Sequence, residues 1–139
     1  SVVKDAITAF KTGGVNAMHD PTEGGVAGGI HEMADASNLG AKIIEDKIPV
    51  QSETLKICEF FRIDPLQLIS SGALLISAKP EFAEEITRSL EREHILASVA
   101  GEFIEDPQAR VIIGKSGEVQ PLPRPLSDHL WIALARRYR

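Results

Sequence analysis

The chain has 139 residues, 43% hydrophobic and 25% charged, with a formal charge of −5 and one cysteine. That length suits one domain with a real core, and the balance of residues is ordinary for a globular protein. The acidic charge argues against a nucleic-acid-binding protein, and the lone cysteine excludes an internal disulfide and a cysteine-based zinc cluster.

Residues 2–11 read as a helix, with Val2, Val3, Ala6, Ile7 and Phe10 at helical spacing and Gly13-Gly14 as its stop. Residues 15–18 form a short apolar strand. There follows Asp20-Pro21-Thr22-Glu23-Gly24-Gly25-Val26-Ala27-Gly28-Gly29, with a carboxylate, a hydroxyl and four glycines in ten residues. A helix is predicted over 21–36. On one reading Asp20 is its N-cap, Pro21 its first residue and Glu23 its third, close to a capping box. That reading leaves the glycines unexplained, since each costs roughly 1 kcal/mol relative to Ala inside a helix. Gly24 and Gly28 are four apart, as are Gly25 and Gly29, so the helix start has smooth flanks. Either another backbone packs there or a ligand does. A glycine-rich strand-to-helix turn lets a ligand approach the backbone, and the helix N-terminus attracts anions through free N–H groups and its dipole. Both readings stand on spacing alone.

Residues 41–45 read as a strand and Ile48-Pro49-Val50 as a turn. Ser52 is expected to cap a helix through Phe61, with Leu55, Ile57, Cys58 and Phe61 mostly inward. Cys58 then reads as a buried, inert thiol. Asp64-Pro65 starts a turn or short helix. Residues 73–78 form a continuous apolar run, expected as a buried central strand. Residues 80–93 are the clearest helix, with Phe82, Ile86 and Leu90 four apart and Glu84 placed to pair with Arg88. Residues 98–104 and 109–114 are expected to pair with each other around Asp106-Pro107. Pro121-Leu122-Pro123-Arg124-Pro125 reads as an extended spacer. Ser127 is expected to cap a last helix, with Leu130, Trp131, Leu134, Ala135 and Tyr138 on one stripe docked on a core. Arg136, Arg137 and Arg139 complement that helix's dipole.

His19 and His31 flank the glycine-rich motif. A ligand or acid–base role competes with a satisfied structural role, and the structural role is preferred for both. His94 and His129 sit in exposed contexts. No His-x-x-x-His or Cys-x-x-Cys spacing exists, so no dedicated metal site is expected. No P-loop and no Gly-x-Ser-x-Gly elbow is present. No run approaches ~18 apolar residues, so no membrane span is expected. The start lacks a basic-then-apolar leader pattern, and a cytoplasmic location is the default expectation. The alternation of strands and helices predicts an α/β layered domain with a mixed sheet.

Met18-His19-Asp20-Pro21-Thr22-Glu23-Gly24-Gly25, followed by Glu32-Met33-Ala34, resembles the Asp-Pro-Thr-Arg-Gly-Gly segment of HypE-type hydrogenase maturation factors. That segment opens the C-terminal domain of the AIR synthase (PurM-like) superfamily. Ile48-Pro49-Val50, Asp64-Pro65-Leu66, Ser71-Gly72-Ala73-Leu74-Leu75-Ile76 and Gly101-Glu102 extend the resemblance over roughly residues 1–114. It implies a PurM C-terminal-like fold, α/β (α+β), with a mixed sheet flanked by helices and a partial ferredoxin-like topology. It also implies that residues 1–139 are one domain, with its core in about 1–114 and a spacer and helix in 115–139, cut from a two-domain protein. The ATP and magnesium ligands then lie in an N-terminal ATP-binding domain of the same protein. This half closes the cleft over a small-molecule substrate, binds no cofactor by itself and is inactive alone. Family members commonly form homodimers through contacts that involve the other half.

The resemblance puts Asp20 at the cleft, facing substrate or a metal-bound phosphate, with Thr22, Gly24 and Gly25 matching the positions that follow. Thr22 offers a hydroxyl and an N–H to an anion. Ser71 and Gly72 match the turn before the buried strand and would line the cleft beside His19; an ordinary turn is the competing reading. Glu23 stands where the HypE pattern has Arg, which reverses a charge at the cleft edge. The HypE tail ends in a Cys that carries the transferred carbamoyl group, whereas this chain ends without one. The alternative is a stand-alone, non-catalytic anion-binding or protein-interaction domain.

Overall fold

The computed structural model describes residues 1–136. In chain order these residues form α1 (Val3–Thr12), β1 (Val15–His19), α2 (Gly25–Ser37), β2 (Gly40–Ile44), α3 (Ser52–Phe61), β3 (Leu75–Ala78), α4 (Pro80–Arg92), β4 (Gly101–Ile104), β5 (Arg110–Ile113), β6 (Val119–Pro121) and α5 (His129–Arg136). Tyr138, Arg137 and Arg139 lie outside the described residues, and so does the side chain of Arg136.

The strands divide into an antiparallel pair, β1 with β3, and a mixed four-stranded sheet in the order β4-β2-β5-β6. β2 is antiparallel to β4 and parallel to β5. A main core joins α2 to this sheet through Ala27, Ile30, Ala41, Ile43, Leu66, Ile112 and Leu122. A second core joins α1 and α4 through Ala9, Ile86 and Leu90. Helix α4 follows its sequence closely. Pro80 opens it, Ile86 and Leu90 are buried, and Arg88 reaches Glu84 at 2.9 Å one turn back.

Five expectations are corrected by long-range packing. The segments 98–104 and 109–114 do not pair with each other, because β2 lies between β4 and β5. Their link crosses the start of β2 at Gly40, where a Cβ would stand 2.0 Å from the Asp106 carbonyl oxygen and 2.4 Å from that of Ala109. Gly40 makes that crossing sterically possible. The apolar run 73–78 is not a central strand: among the described residues β3 pairs only with β1, Leu75 opposite His19 and Ile76 opposite Met18. Its two faces serve different cores, with Leu75 in the main one and Ile76 and Ala78 in the second. A strand wedged between two cores carries apolar residues on both faces, which gives it the look of a central strand.

On α3 only Cys58 is buried, while Leu55, Ile57 and Phe60 are 44%, 54% and 80% exposed. The helix meets the domain along one narrow stripe, so most of its apolar residues face outward. On α5, among the described residues, Ala133 is buried and Leu130 half-buried, whereas Trp131 and Leu134 are 55% and 40% exposed, so most of the described part of the expected stripe faces outward. The stretch read as a spacer closes the sheet as β6 and sends Leu122 into the main core, with the Leu122 N–H donating to the Arg110 carbonyl at 2.9 Å.

Candidate functional site

β1 delivers the chain through His19 into the loop 20–24. Helix α2 begins at Gly25, four residues later than the sequence pattern predicts. Gly24 and Gly25 have φ of 79° and 63°, a left-handed conformation that a right-handed helix cannot continue and that glycine adopts at no steric cost. The Gly25 N–H turns back to the Thr22 carbonyl at 3.1 Å. Gly24 is the N-cap and has no side-chain cap from its own residue. Asp20 is therefore not the cap of this helix, and Glu23 is not its third residue.

The glycine spacing resolves into packing by other parts of the chain, close backbone approach at Gly25 and side-chain packing at Gly29. A Cβ on Gly25 would lie 2.4 Å from the Leu68 carbonyl oxygen and 2.6 Å from that of Leu66. One on Gly29 would lie 2.7 Å from Pro21 Cβ and 2.9 Å from Leu75. Gly24 and Gly28 face the other way, toward Pro125, at 3.4 Å and 3.9 Å. Two flanks of one helix start thus receive two different segments of the chain.

The loop is joined to the turn 70–73. Ser70 Oγ donates to the Pro21 carbonyl at 2.7 Å, and the Ser70 N–H donates to the Thr22 carbonyl at 3.4 Å. The turn closes through the Ala73 N–H on the Ser70 carbonyl at 2.9 Å, with Gly72 at φ 104°. Thr22 is thereby brought beside Ser71 and Gly72 across 49 residues of sequence. Asp20, Thr22, Glu23 and Ser71 are exposed, and among the described residues their side chains make no hydrogen bond or ion pair. His19 is braced against α2, its Nε2 lying 2.6 Å from Glu32 Oε2.

The structure adds a residue that sequence reading passed over. Asp128 is 4% exposed. Its Oδ2 accepts from the Gly24 N–H at 2.8 Å and its Oδ1 from the Leu130 N–H at 2.8 Å. Asp128, and not Ser127, caps α5, and it also caps the head of α2 from 104 residues away. The local signal was present, since Asp is a favoured N-cap; its second partner has no local signature. His129 is likewise engaged: its Nδ1 accepts from the Asp64 N–H at 3.0 Å.

His31 has the structural role preferred for it. It is 5% exposed. Its Nε2 donates to the carbonyls of Leu122 and Pro123, both at 3.2 Å, and its Nδ1 accepts from Arg110 at 3.4 Å. Arg110 and Arg124 both bind Asp35. Burial pushes the imidazole pKa below its ordinary value, and the guanidiniums of Arg124 and Arg110 add to that against the backbone carbonyls. The unfolded chain therefore binds more protons than the folded state below about pH 6.5. Stability should fall as the pH drops through that value and level off once the folded state also protonates. Thermal midpoints measured from pH 7.5 to 5 should show this slope, and His31→Gln should flatten it. Parallel curves for the two proteins would contradict the assignment.

Cys58 is buried, and burial pushes its thiol pKa up, which suits an inert side chain. Among the described residues no group of three His, Cys, Asp or Glu is placed to hold a metal ion, and no helix is long and apolar enough to cross a membrane.

A layered α/β domain with a glycine-built turn at the head of a core helix defines the class, and the comparisons define the family. The chain belongs to the AIR synthase related protein C-terminal domain family, whose model matches residues 2–114. It is 36% identical over 96 residues to the carbamoyl dehydratase HypE of Bradyrhizobium diazoefficiens, covering 67% of this chain and 28% of that protein. The crystal structure of Escherichia coli HypE, a hydrogenase maturation protein, matches with a TM-score of 0.81 at 28% identity, over 90% of this chain and 40% of that one. HypE crystallised in complex with ATP matches with a TM-score of 0.74 at 26% identity, over 83% of this chain and 37% of that one. The chain thus spans well under half the length of these relatives.

Proposed function

We propose that this domain is the C-terminal, cleft-forming half of an ATP-dependent HypE-like protein of the cytoplasm that serves hydrogenase maturation. In this reading the turn of Asp20, Thr22, Glu23, Gly24 and Gly25 meets the substrate or its phosphate, with Ser71, Gly72 and His19 beside it. The observation that carries it is the joining of the loop 20–24 to the turn 70–73 through Ser70. Two separate segments form one lip, and the polar side chains on it are left without partners among the described residues.

Magnesium and ATP belong to the other half of the protein. ATP would supply the phosphoryl group that turns a carbamoyl oxygen into a leaving group. The residues here position rather than activate. The Thr22 hydroxyl donates to an anionic oxygen, and the Ser71 hydroxyl offers a second donor. Asp20 and Glu23 place negative charge at the edge and favour a ligand that arrives with a cation. Docking of the other half is supported by α1, where Val3, Ile7 and Phe10, on one helical stripe, are 62%, 48% and 74% exposed. An apolar stripe of that kind marks an interaction surface.

The test is a titration of this chain with inorganic phosphate, followed by the amide resonances of Thr22 and Gly25. Both should shift, and Glu23→Arg should tighten binding roughly three- to tenfold by reversing an exposed charge. Resonances that stay in place in both proteins would remove the phosphate reading.

A further inference from the structure

The mixed sheet has two edges, and they are built differently. At the β6 edge the Leu122 N–H donates to the Arg110 carbonyl at 2.9 Å; by alternation Gln120 also faces β5, while Val119 and Pro121 face away. Pro121 has no N–H to offer there, and a proline so placed blunts an edge. At the β4 edge the Ile44 N–H donates to the Ala100 carbonyl at 2.8 Å. By the same alternation Glu102 and Ile104 bond to β2, and Gly101 and Phe103 turn their N–H and C=O groups outward. Among the described residues nothing bonds to those outward groups. β4 also lacks the usual guards of an edge. It holds no proline and no lysine, and its register with β2 is unbroken. Its one charge, Glu102, lies on the face opposite Ala41 and Ile43, 3.9 Å from Lys42. Gly101 and Glu102 are exposed.

We propose that β4 is a self-association edge, pairing antiparallel with β4 of a second copy across a two-fold axis at Phe103 and joining the two sheets into one. A second copy is the occupant because the strand complements itself in one register. Residues directly opposite one another share a face. Two registers keep three residues of β4 paired inside the strand. Centred on Glu102, the pairing sets two carboxylates opposite each other at the closer, non-hydrogen-bonded spacing, which is repulsive. Centred on Phe103, it sets the two Phe103 rings side by side on the core face, and each Phe103 takes the other's outward N–H and C=O. Glu102 then falls opposite Ile104, and Gly101 opposite Glu105, so no like charges face each other. Lys42 already offsets Glu102 beside the seam, which eases the meeting of two chains of charge −5. The contact lies wholly within this domain. It is small, so the association is weak.

Sedimentation equilibrium of the intact chain from about 10 μM to about 1 mM should show the average mass rising from one chain toward two. Over the same range amide exchange at Phe103 should slow about threefold or more, while Glu102, already bonded to β2, stays constant. A mass that does not change would overturn the proposal, and so would a dimer whose Phe103 amide gains no protection. Charge at residue 104 tests the register. Ile104→Lys would attract Glu102 of the second copy and Ile104→Glu would repel it, each contact occurring twice by symmetry. The dissociation constant of the lysine variant should be at least about tenfold lower than that of the glutamate variant. The same two substitutions at Val119, exposed on the far edge, control for net charge and should differ by less than about twofold. Equal dissociation constants at residue 104 would overturn the register, and the proposal with it. If either variant fails to fold, Phe103 exchange in the parent chain decides.

Discussion

Gly25→Ala should destabilise the domain by about 3 kcal/mol or more, whereas Gly28→Ala, three residues later, should be neutral or stabilise it by up to about 1 kcal/mol. At Gly25 two costs combine. Its φ of 63° is a conformation that L side chains avoid, and the added Cβ would meet the carbonyl oxygens of Leu68 and Leu66 at 2.4 Å and 2.6 Å. Both obstacles are backbone, so no rotamer change relieves them. At Gly28 the helix is regular, and the Cβ would meet the Glu23 carbonyl oxygen at 3.4 Å, an ordinary contact. Alanine's helix propensity then acts unopposed. For a domain of this size the difference should appear as a gap of roughly 10 °C between the two melting temperatures. Equal melting temperatures would mean that the four glycines act as a group, as a ligand-facing motif would require, and not one by one through packing.

Leu122→Ala should cost about 2–5 kcal/mol, the range for truncating a buried leucine. Leu122 is 4% exposed and sits with Ala27, Ile30 and Ile112 between α2 and the sheet. Leu126→Ala, four residues on, changes a side chain fully in solvent and should stay within about 0.5 kcal/mol of the parent. Urea titration of both variants checks the contrast. Should Leu122→Ala unfold at the same urea concentration as Leu126→Ala, the stretch after β6 contributes nothing to the fold.

Elements whose signals are local were legible in the sequence. Helix α4 has its proline start, its four-residue apolar spacing and its Glu84–Arg88 pair within one window, and all of them appear in the fold. The turn at Asp64-Pro65 is likewise local, with Asp64 accepting from the Leu66 N–H at 2.9 Å. The ordered motifs from Asp20 to Glu102 carried the family resemblance, because their order along the chain is itself sequence information. The burial of Cys58 also followed from the apolar residues around it, whereas the structural place of His31 was the preferred of two readings.

What could not be read was decided by pairs of residues far apart in the chain. The sequence determined that residues 20–29 make a glycine-built entry to a helix, because glycine's conformational freedom belongs to the residue itself. It did not determine where that helix starts, since the left-handed turn at Gly24 and Gly25 is secured by Ser70 on one side and Asp128 on the other. Strand character in 98–104 and 109–114 was local, but their separation by β2 depends on a connection that fits over Gly40. The apolar faces of α3 and α5 were visible as stripes, yet only packing chose which residues to bury, taking Cys58 and Ala133 and leaving Phe60 and Trp131 outside. Periodicity states that a residue is apolar; the surface it meets is set by the rest of the chain.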